Sequence, residues 1–346
     1  MEKGIHGGDI YRNQVTVDFS VNVNPLGIPQ AVKAALREAV EHCDRYPDLA
    51  GKELKQAVAG MLDVSEEYLL FGNGASELLM AIVHALRPKK TVIPTPSFYG
   101  YEYASKATGR EIIFYDMREE NGFRPEEDFF SILTQDVDLL FLANPGNPFG
   151  TILDKDYLRK LLSHCRKMGI CVALDECFAK FCTEEISMLD EIETYENLII
   201  VRAFTKIFAI PGVRLGYLVC ADRRLLERIR IQLPEWNLSV FAQAAGCVCA
   251  AQKGYLIKTA EYVAKERKFL MEGLRRLGIR VVSGEANFLL IYSEALLYEK
   301  LLKRGILIRD CENFRGLSKG YYRIAVKSRE DNALLLKNIG EIKWTK

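Results

Sequence analysis

Five short stretches hold residue types and spacings that could do chemistry. In VRAFTKIFAIPGVRLGY (201–217), Lys206 follows an apolar run and Arg214 stands eight positions later, with a Pro-Gly pair and almost no other charge between them. A solvated helix scatters its charges, whereas a lysine in such company can lose basicity in a partly dry pocket and condense with an aldehyde to an imine. In VALDECFAKF (172–181), Asp175 ends an otherwise apolar run. A carboxylate there needs a positive or hydrogen-bonding partner, and a protonated pyridine nitrogen serves as well as a structural Arg or Lys. FGNGASE (71–77) offers Gly72, Gly74, Ala75 and Ser76 at the opening of a helix-like pattern. Small residues at a helix start let backbone N–H groups and a hydroxyl surround a phosphate, although the same residues also make an ordinary cap. In TPSFYGYE (95–102), Phe98, Tyr99 and Tyr101 form an aromatic face that could stack on a flat heterocycle or belong to the core. LANPGNPFGT (142–151) is a rigid turn in which Asn147 could hydrogen-bond a ring substituent or cap its own backbone.

Together these stretches supply a phosphate cup, a ring stacker, a hydrogen-bonding amide, an anion for a ring nitrogen and an imine-forming amine, the contacts that pyridoxal phosphate requires. The glycines lack the GxGxxG spacing and no Walker lysine follows them, which argues against a dinucleotide or a nucleoside triphosphate.

The elements that must position these residues follow from hydrophobic periodicity. From about residue 70, short β-rich runs at 91–94, 112–115, 138–142, 170–174, 198–202 and 216–219 alternate with amphipathic, helix-length stretches. Runs such as DLLFLA and NLIIVRAF are apolar without alternation, as strands buried on both faces are, which predicts a mainly parallel α/β sheet with its chemistry at the strand ends. After a long helical pattern at 241–277, a second rhythm places strands at 281–282, 288–292, 306–309 and 321–326 and a helix at 293–303. The expected organisation is an N-terminal segment, 1–45, packing on the small domain, with Pro29 in the first turn of a helix. A large domain, 46–245, and a smaller α/β C-terminal domain, 246–346, complete it.

Bulk properties set outer bounds. The chain has 346 residues, 49% hydrophobic and 27% charged, enough to bury a large core. Its 47 basic residues balance 46 acidic ones, which leaves no electrostatic footprint for nucleic acid or an anionic membrane surface. The N-terminus lacks the apolar stretch of a signal peptide and no run is long enough for a membrane span, so the expected location is cytoplasmic. Nine scattered cysteines without metal-site spacing read as reduced, buried thiols, and no metal is expected.

The ordered set GNGASE, PSF, NPGNPFG, DE and TKIFAIPGVRLG resembles the fold-type I pyridoxal-phosphate enzymes of the class I/II aminotransferase group, over essentially the whole chain. That resemblance implies that Lys206 carries the imine to the cofactor, Asp175 pairs with its ring nitrogen, Asn147 bonds its ring oxygen and Phe98 stacks on the ring. It also puts Ala75, Ser76, Thr205 and Arg214 on the cofactor phosphate, with Gly74 beside them. Tyr46 in RYPD would reach the phosphate of a neighbouring subunit, which makes a homodimer the expected assembly. Arg323 in YYRIAV matches an arginine that grips a substrate carboxylate or phosphate.

Two branches of the group share these motifs: aminotransferases of histidinol phosphate, and decarboxylases of threonine phosphate in cobalamin synthesis. The opening HGGDIYRN…DFSVNVNPLGIP and the closing ILIRDCENFRGLSKGYYRIAVKS resemble the decarboxylases. Phe178 points the same way: most aminotransferases of the group carry tyrosine there, and phenylalanine cannot donate to the ring oxygen. Ala203 departs from both branches, which usually carry a hydroxyl that touches the cofactor phosphate. The expected reaction is decarboxylation of L-threonine O-3-phosphate to (R)-1-amino-2-propanol phosphate, with amino transfer from histidinol phosphate as the alternative. Expected anchors for this small phosphorylated amino acid are His6, Asn22, Asn147, Arg309 and Arg323, with Lys327 ranked below them.

Overall fold

A computed structural model describes residues 6–344. The strands, in chain order, are β1 (Val17–Asp18), β2 (Leu69–Gly72), β3 (Lys90–Thr95), β4 (Glu111–Asp116), β5 (Leu139–Ala143), β6 (Cys171–Asp175), β7 (Leu198–Ala203), β8 (Gly216–Val219), β9 (Arg280–Val281), β10 (Phe288–Tyr292), β11 (Ile306–Leu307), β12 (Arg309–Asp310) and β13 (Tyr321–Ala325). The helices are α1 (Gln30–Glu38), α2 (Lys52–Leu62), α3 (Ala75–Leu86), α4 (Tyr99–Lys106), α5 (Lys155–Met168), α6 (Phe204–Ile207), α7 (Arg223–Arg230), α8 (Val240–Ala250), α9 (Lys253–Arg276), α10 (Leu297–Leu302) and α11 (Arg329–Trp344).

A seven-stranded sheet runs in the order β2-β8-β7-β6-β5-β3-β4, and only β8 opposes its neighbours. The mainly parallel α/β architecture read from the sequence is therefore present. In β5, Leu140 and Leu142 enter one core while Leu139 and Phe141 enter the other. Each such buried side chain contributes about 1.5–3 kcal/mol, which is why this run shows no polar alternation. Gly216 in β8 is obligatory: a Cβ there would come within 2.6 Å of the Ala75 backbone nitrogen. The first turn of α3 can thus lie directly against β8.

The second sheet is antiparallel, in the order β12-β13-β10-β9, and β1 pairs with β11 in a separate two-stranded sheet. The run read as one strand at 306–309 is thus two short strands in different sheets, divided at Ile308, whose side chain enters the small core. The long helical pattern at 241–277 also divides, into α8 and α9. Along α9, Val263 belongs to the large core and Leu270 and Leu274 to the small one. The N-terminal segment serves both cores as well, Phe19 the small and Val32 the large. It does not pack on the small one alone. The helix expected at 293–303 is confined to α10 because Leu296 takes a left-handed conformation just before it. Pro29 is the N-cap of α1 and stands one position before the first turn.

The nine thiols are free, but Cys43 is exposed and Cys247 half-buried, so the reading of all nine as buried does not hold. No helix among the described residues is long and apolar enough to cross a membrane.

Candidate active site

The C-terminal ends of β3, β5, β6 and β7 open on one edge of the large sheet, where a doubly wound fold binds its ligands. A cavity of about 750 Å³ lies there, and all five stretches singled out in the sequence reach it, through Ala75 and Ser76, Phe98, Asn147, Asp175, and Thr205 with Lys206 and Arg214. His6, Asn22, Arg309 and Arg323 line it as well. Gly74, Tyr46 and Lys327 do not. Gly74, with φ +78°, is the N-cap of α3, and a Cβ on it would collide with the Arg214 guanidinium. Tyr46 lies on the outside, 79% exposed, with its ring 4.9 Å from that of Trp236.

Lys206 sits on the single turn of α6, half-buried, with Nζ 5.8 Å from the centre of the Phe178 ring. That turn is anchored by a residue the sequence reading missed. Asn24 is buried, its backbone N–H donates to the Lys206 carbonyl (3.0 Å), and its amide donates to the Ile207 carbonyl (2.7 Å) and to Thr259 Oγ1 (2.9 Å). The signal lay in the repeated asparagines of VNVNPLG, of which only Asn22 was singled out. Phe178 is buried edge-on against Phe288, with ring centres 5.0 Å apart.

Asp175 and Glu176 are adjacent and have opposite environments. Glu176 is buried and fully satisfied: Oε2 accepts from Arg202 Nη2 (2.7 Å) and Ser187 Oγ (2.7 Å), and Oε1 from the Met188 backbone N–H (2.8 Å). The structural guanidinium that could have belonged to Asp175 thus goes to its neighbour. Asp175 receives only neutral donors, Tyr101 Oη to Oδ2 (2.6 Å) and the Cys177 backbone N–H to Oδ1 (2.9 Å). Among the described residues no lysine or arginine forms an ion pair with it. A carboxylate placed in this way at the base of a cavity can take a cationic N–H from a ligand.

The turn after β5 resolves the two readings of its asparagines. Asn144 is buried and caps the turn, accepting from the Leu153 N–H at 2.9 Å. Asn147 instead accepts at Oδ1 from Arg323 Nη1 (2.7 Å), which leaves its amide NH2 as the group available to a ring oxygen. Arg309 and Arg323 are direct cross-strand partners in β12 and β13, both buried. Like charges opposed in this way cost stability unless an anion sits between them. Burial holds the Arg323 guanidinium down to about 10; its Nη2 donates to the Ser20 carbonyl (2.9 Å) and its Nε has no hydrogen-bond partner. Burial, then Arg309 and Arg323, also lower the His6 pKa.

The residues fit pyridoxal phosphate on two structural observations. Thr205 Oγ1 is buried without a hydrogen-bond partner, and Gly74 and Gly216 bring the first N–H groups of α3 and the Arg214 guanidinium together in a cradle that any Cβ would fill. A helix N-terminus with a cation and an orphaned hydroxyl is a set of donors that suits a phosphate group. Ala203 lines a different cavity on the far side of β7, so the hydroxyl that the resemblance leads one to expect there is missing from the cradle.

Comparison with known proteins adds an independent view. The family described as "Aminotransferase class I and II" matches residues 14–339. The threonine-phosphate decarboxylase of Salmonella typhimurium is 35% identical over 344 residues, covering 96% of this chain and 94% of the relative. Among solved structures, the histidinol-phosphate aminotransferase from Clostridium acetobutylicum superposes with TM-score 0.89 at 31% identity, over 94% of this chain and 99% of the other. The L-threonine-O-3-phosphate decarboxylase from Porphyromonas gingivalis gives 0.84 at 27% identity, over 94% and 99%.

Proposed function

The chain belongs to the aminotransferase class I and II family, and from that premise we propose that it decarboxylates L-threonine O-3-phosphate to (R)-1-amino-2-propanol phosphate, a step of cobalamin synthesis. The observation that carries this reading is the opposed pair Arg309 and Arg323 in the same cavity as Lys206 and Asp175. Once the cradle of Ala75, Ser76, Thr205 and Arg214 holds the cofactor phosphate, the Arg323 guanidinium, whose Nε has no hydrogen-bond partner, still borders the cavity with Arg309 facing it, and this positive wall suits the substrate phosphate. The slightly higher superposition on an aminotransferase does not count against it, because branches of one fold differ in their sites and not in their scaffold.

Bound pyridoxal phosphate supplies the electron sink that takes the pair left when a bond to the substrate Cα breaks. The chain decides which bond that is. Arg309, Arg323, His6 and Asn22, which line the cavity, would hold the substrate phosphate and so leave the carboxylate as the group to be lost as carbon dioxide. Asp175 keeps a proton on the ring nitrogen. Lys206 Nζ returns a proton to Cα after carbon dioxide departs. Phe98 and Phe178 line the same cavity, where Phe98 would stack on the ring and Phe178, being hydrocarbon, would donate no hydrogen bond to the ring oxygen.

We further place the enzyme in the cytoplasm as a homodimer. Nine free thiols support the location. For the dimer, Val40, Tyr46, Leu49 and Trp236 are exposed, at 56%, 79%, 58% and 45%. Such a group favours burial against a second copy, with Tyr46 at that copy's cofactor phosphate. We propose the division into 1–45, 46–245 and 246–346: a large and a small hydrophobic core support two units, although Val32, Val263 and Phe288 join the large core from outside 46–245.

Purified protein loaded with cofactor is tested with L-threonine phosphate, and separately with histidinol phosphate plus 2-oxoglutarate. Carbon dioxide from the first and no glutamate from the second is the expected outcome; glutamate without carbon dioxide would make it an aminotransferase.

A further inference from the structure

We infer that Tyr101 is a positioning residue that sets the basicity of Asp175 toward the cofactor ring nitrogen, and so tunes the electron sink. The inference rests on the cofactor assignment above and deepens it. Tyr101 belongs to the first turn of α4, three residues after Phe98, so that one helix face presents both aromatic residues to the cavity. Its ring is fully buried, stacked on Phe141 at 5.1 Å with an 8° interplanar angle and edge-on to Phe98 at 5.6 Å. The hydroxyl lies 2.6 Å from Asp175 Oδ2, in the range of a charge-assisted O–H···O⁻ bond.

Burial, and then the Asp175 charge, push the phenol well above its ordinary range, so it keeps its proton and acts only as a donor. Oδ1 accepts from the Cys177 N–H and the Cys177 thiol also bonds the carboxylate, so its donors are all neutral, and among the described residues no lysine or arginine forms an ion pair with it. Each donor withdraws charge and lowers the carboxylate's appetite for a proton. A ring N–H shared with Asp175 therefore keeps its proton on the nitrogen. Remove the phenol oxygen, and the proton moves toward the carboxylate, the ring withdraws fewer electrons and the nitrogen linking it to Lys206 becomes more basic.

The test is a pH titration of the visible absorption of the holoenzyme, comparing wild type with Tyr101→Phe, which keeps the stacked ring. The midpoint is expected to rise by about one pH unit, with kcat reduced about tenfold and KM little changed. Incorporation of 3-fluorotyrosine at position 101, a stronger donor of nearly the same shape, is expected to move the midpoint the other way; this arm guards against poor folding of the phenylalanine variant. In an Asp175→Asn background, Tyr101→Phe should no longer shift the midpoint. An unchanged midpoint in both Tyr101 proteins, or an equal shift with and without Asp175, overturns the inference and leaves the cofactor assignment standing. A wild-type protein with no visible band at any pH overturns both.

Discussion

Two cavities of about 750 and 860 Å³ flank the ends of β6 and β7 and share Cys177 in their walls, yet they treat charge in opposite ways. In the larger, Glu176 meets Arg202 in a buried ion pair completed by Ser187 and the Met188 N–H. In the smaller, Asp175 has only neutral donors, Arg309 opposes another arginine across two strands, and Thr205 Oγ1 has no partner. The larger cavity pairs its carboxylate with a guanidinium, although Arg202 Nη1 has no hydrogen-bond partner; the smaller is left open, with no paired cation for Asp175 among the described residues and with Thr205 Oγ1 and Arg323 Nε lacking partners, at the points where an anionic cofactor and an anionic substrate would bind. Incompleteness of this kind costs stability, and it marks the site more sharply than burial or cavity size does.

Breaking the open side at its amine gives the largest expected effect. Lys206→Ala is expected to lower kcat for carbon dioxide release by at least about 10³-fold, with a melting temperature close to wild type. The adjacent carboxylates then test the contrast directly. Asp175→Asn should cost about 10²–10³-fold in kcat/KM with little loss of stability. Glu176→Gln should do the reverse: it strands the Arg202 charge and lowers unfolding stability by about 3–5 kcal/mol, while the protein that remains folded turns over within a few-fold of wild type. Chemical denaturation and steady-state kinetics on the two variants measure both quantities.

A smaller effect is expected at the substrate end. Arg323→Lys keeps the charge but loses the planar fork that reaches Asn147 and Ser20, and should raise KM about tenfold with kcat less affected. The smallest concerns His6. Burial and the two arginines hold its pKa below the ordinary imidazole range, so it is neutral in the free enzyme near neutral pH. An anion bound between the arginines favours the charged ring, so phosphate binding should take up a fraction of a proton. Calorimetry in buffers of different ionisation enthalpy detects that uptake, and His6→Asn should abolish it.

Much of this was legible in the sequence because it is local. Asp175 ends a run whose every other member is apolar, and Lys206 follows one; both are where the strands stop. The unread features depend on chain segments far apart. β2, only four residues long and ending in glycine, gains its identity from pairing with β8, and no periodicity reveals that β8 runs against its neighbours. Asn24 reaches Thr259, and Arg202 selects Glu176 over Asp175, through contacts that no spacing rule encodes. Tyr101 read as a possible ring stacker, and only the fold shows its hydroxyl on Asp175.

The most direct measurement of the central claim is borohydride reduction of the holoprotein followed by peptide mapping. The account predicts that the reduced cofactor is attached to the peptide containing Lys206 and that prior addition of L-threonine phosphate diminishes the label. Label on another lysine, or none at all, would contradict it.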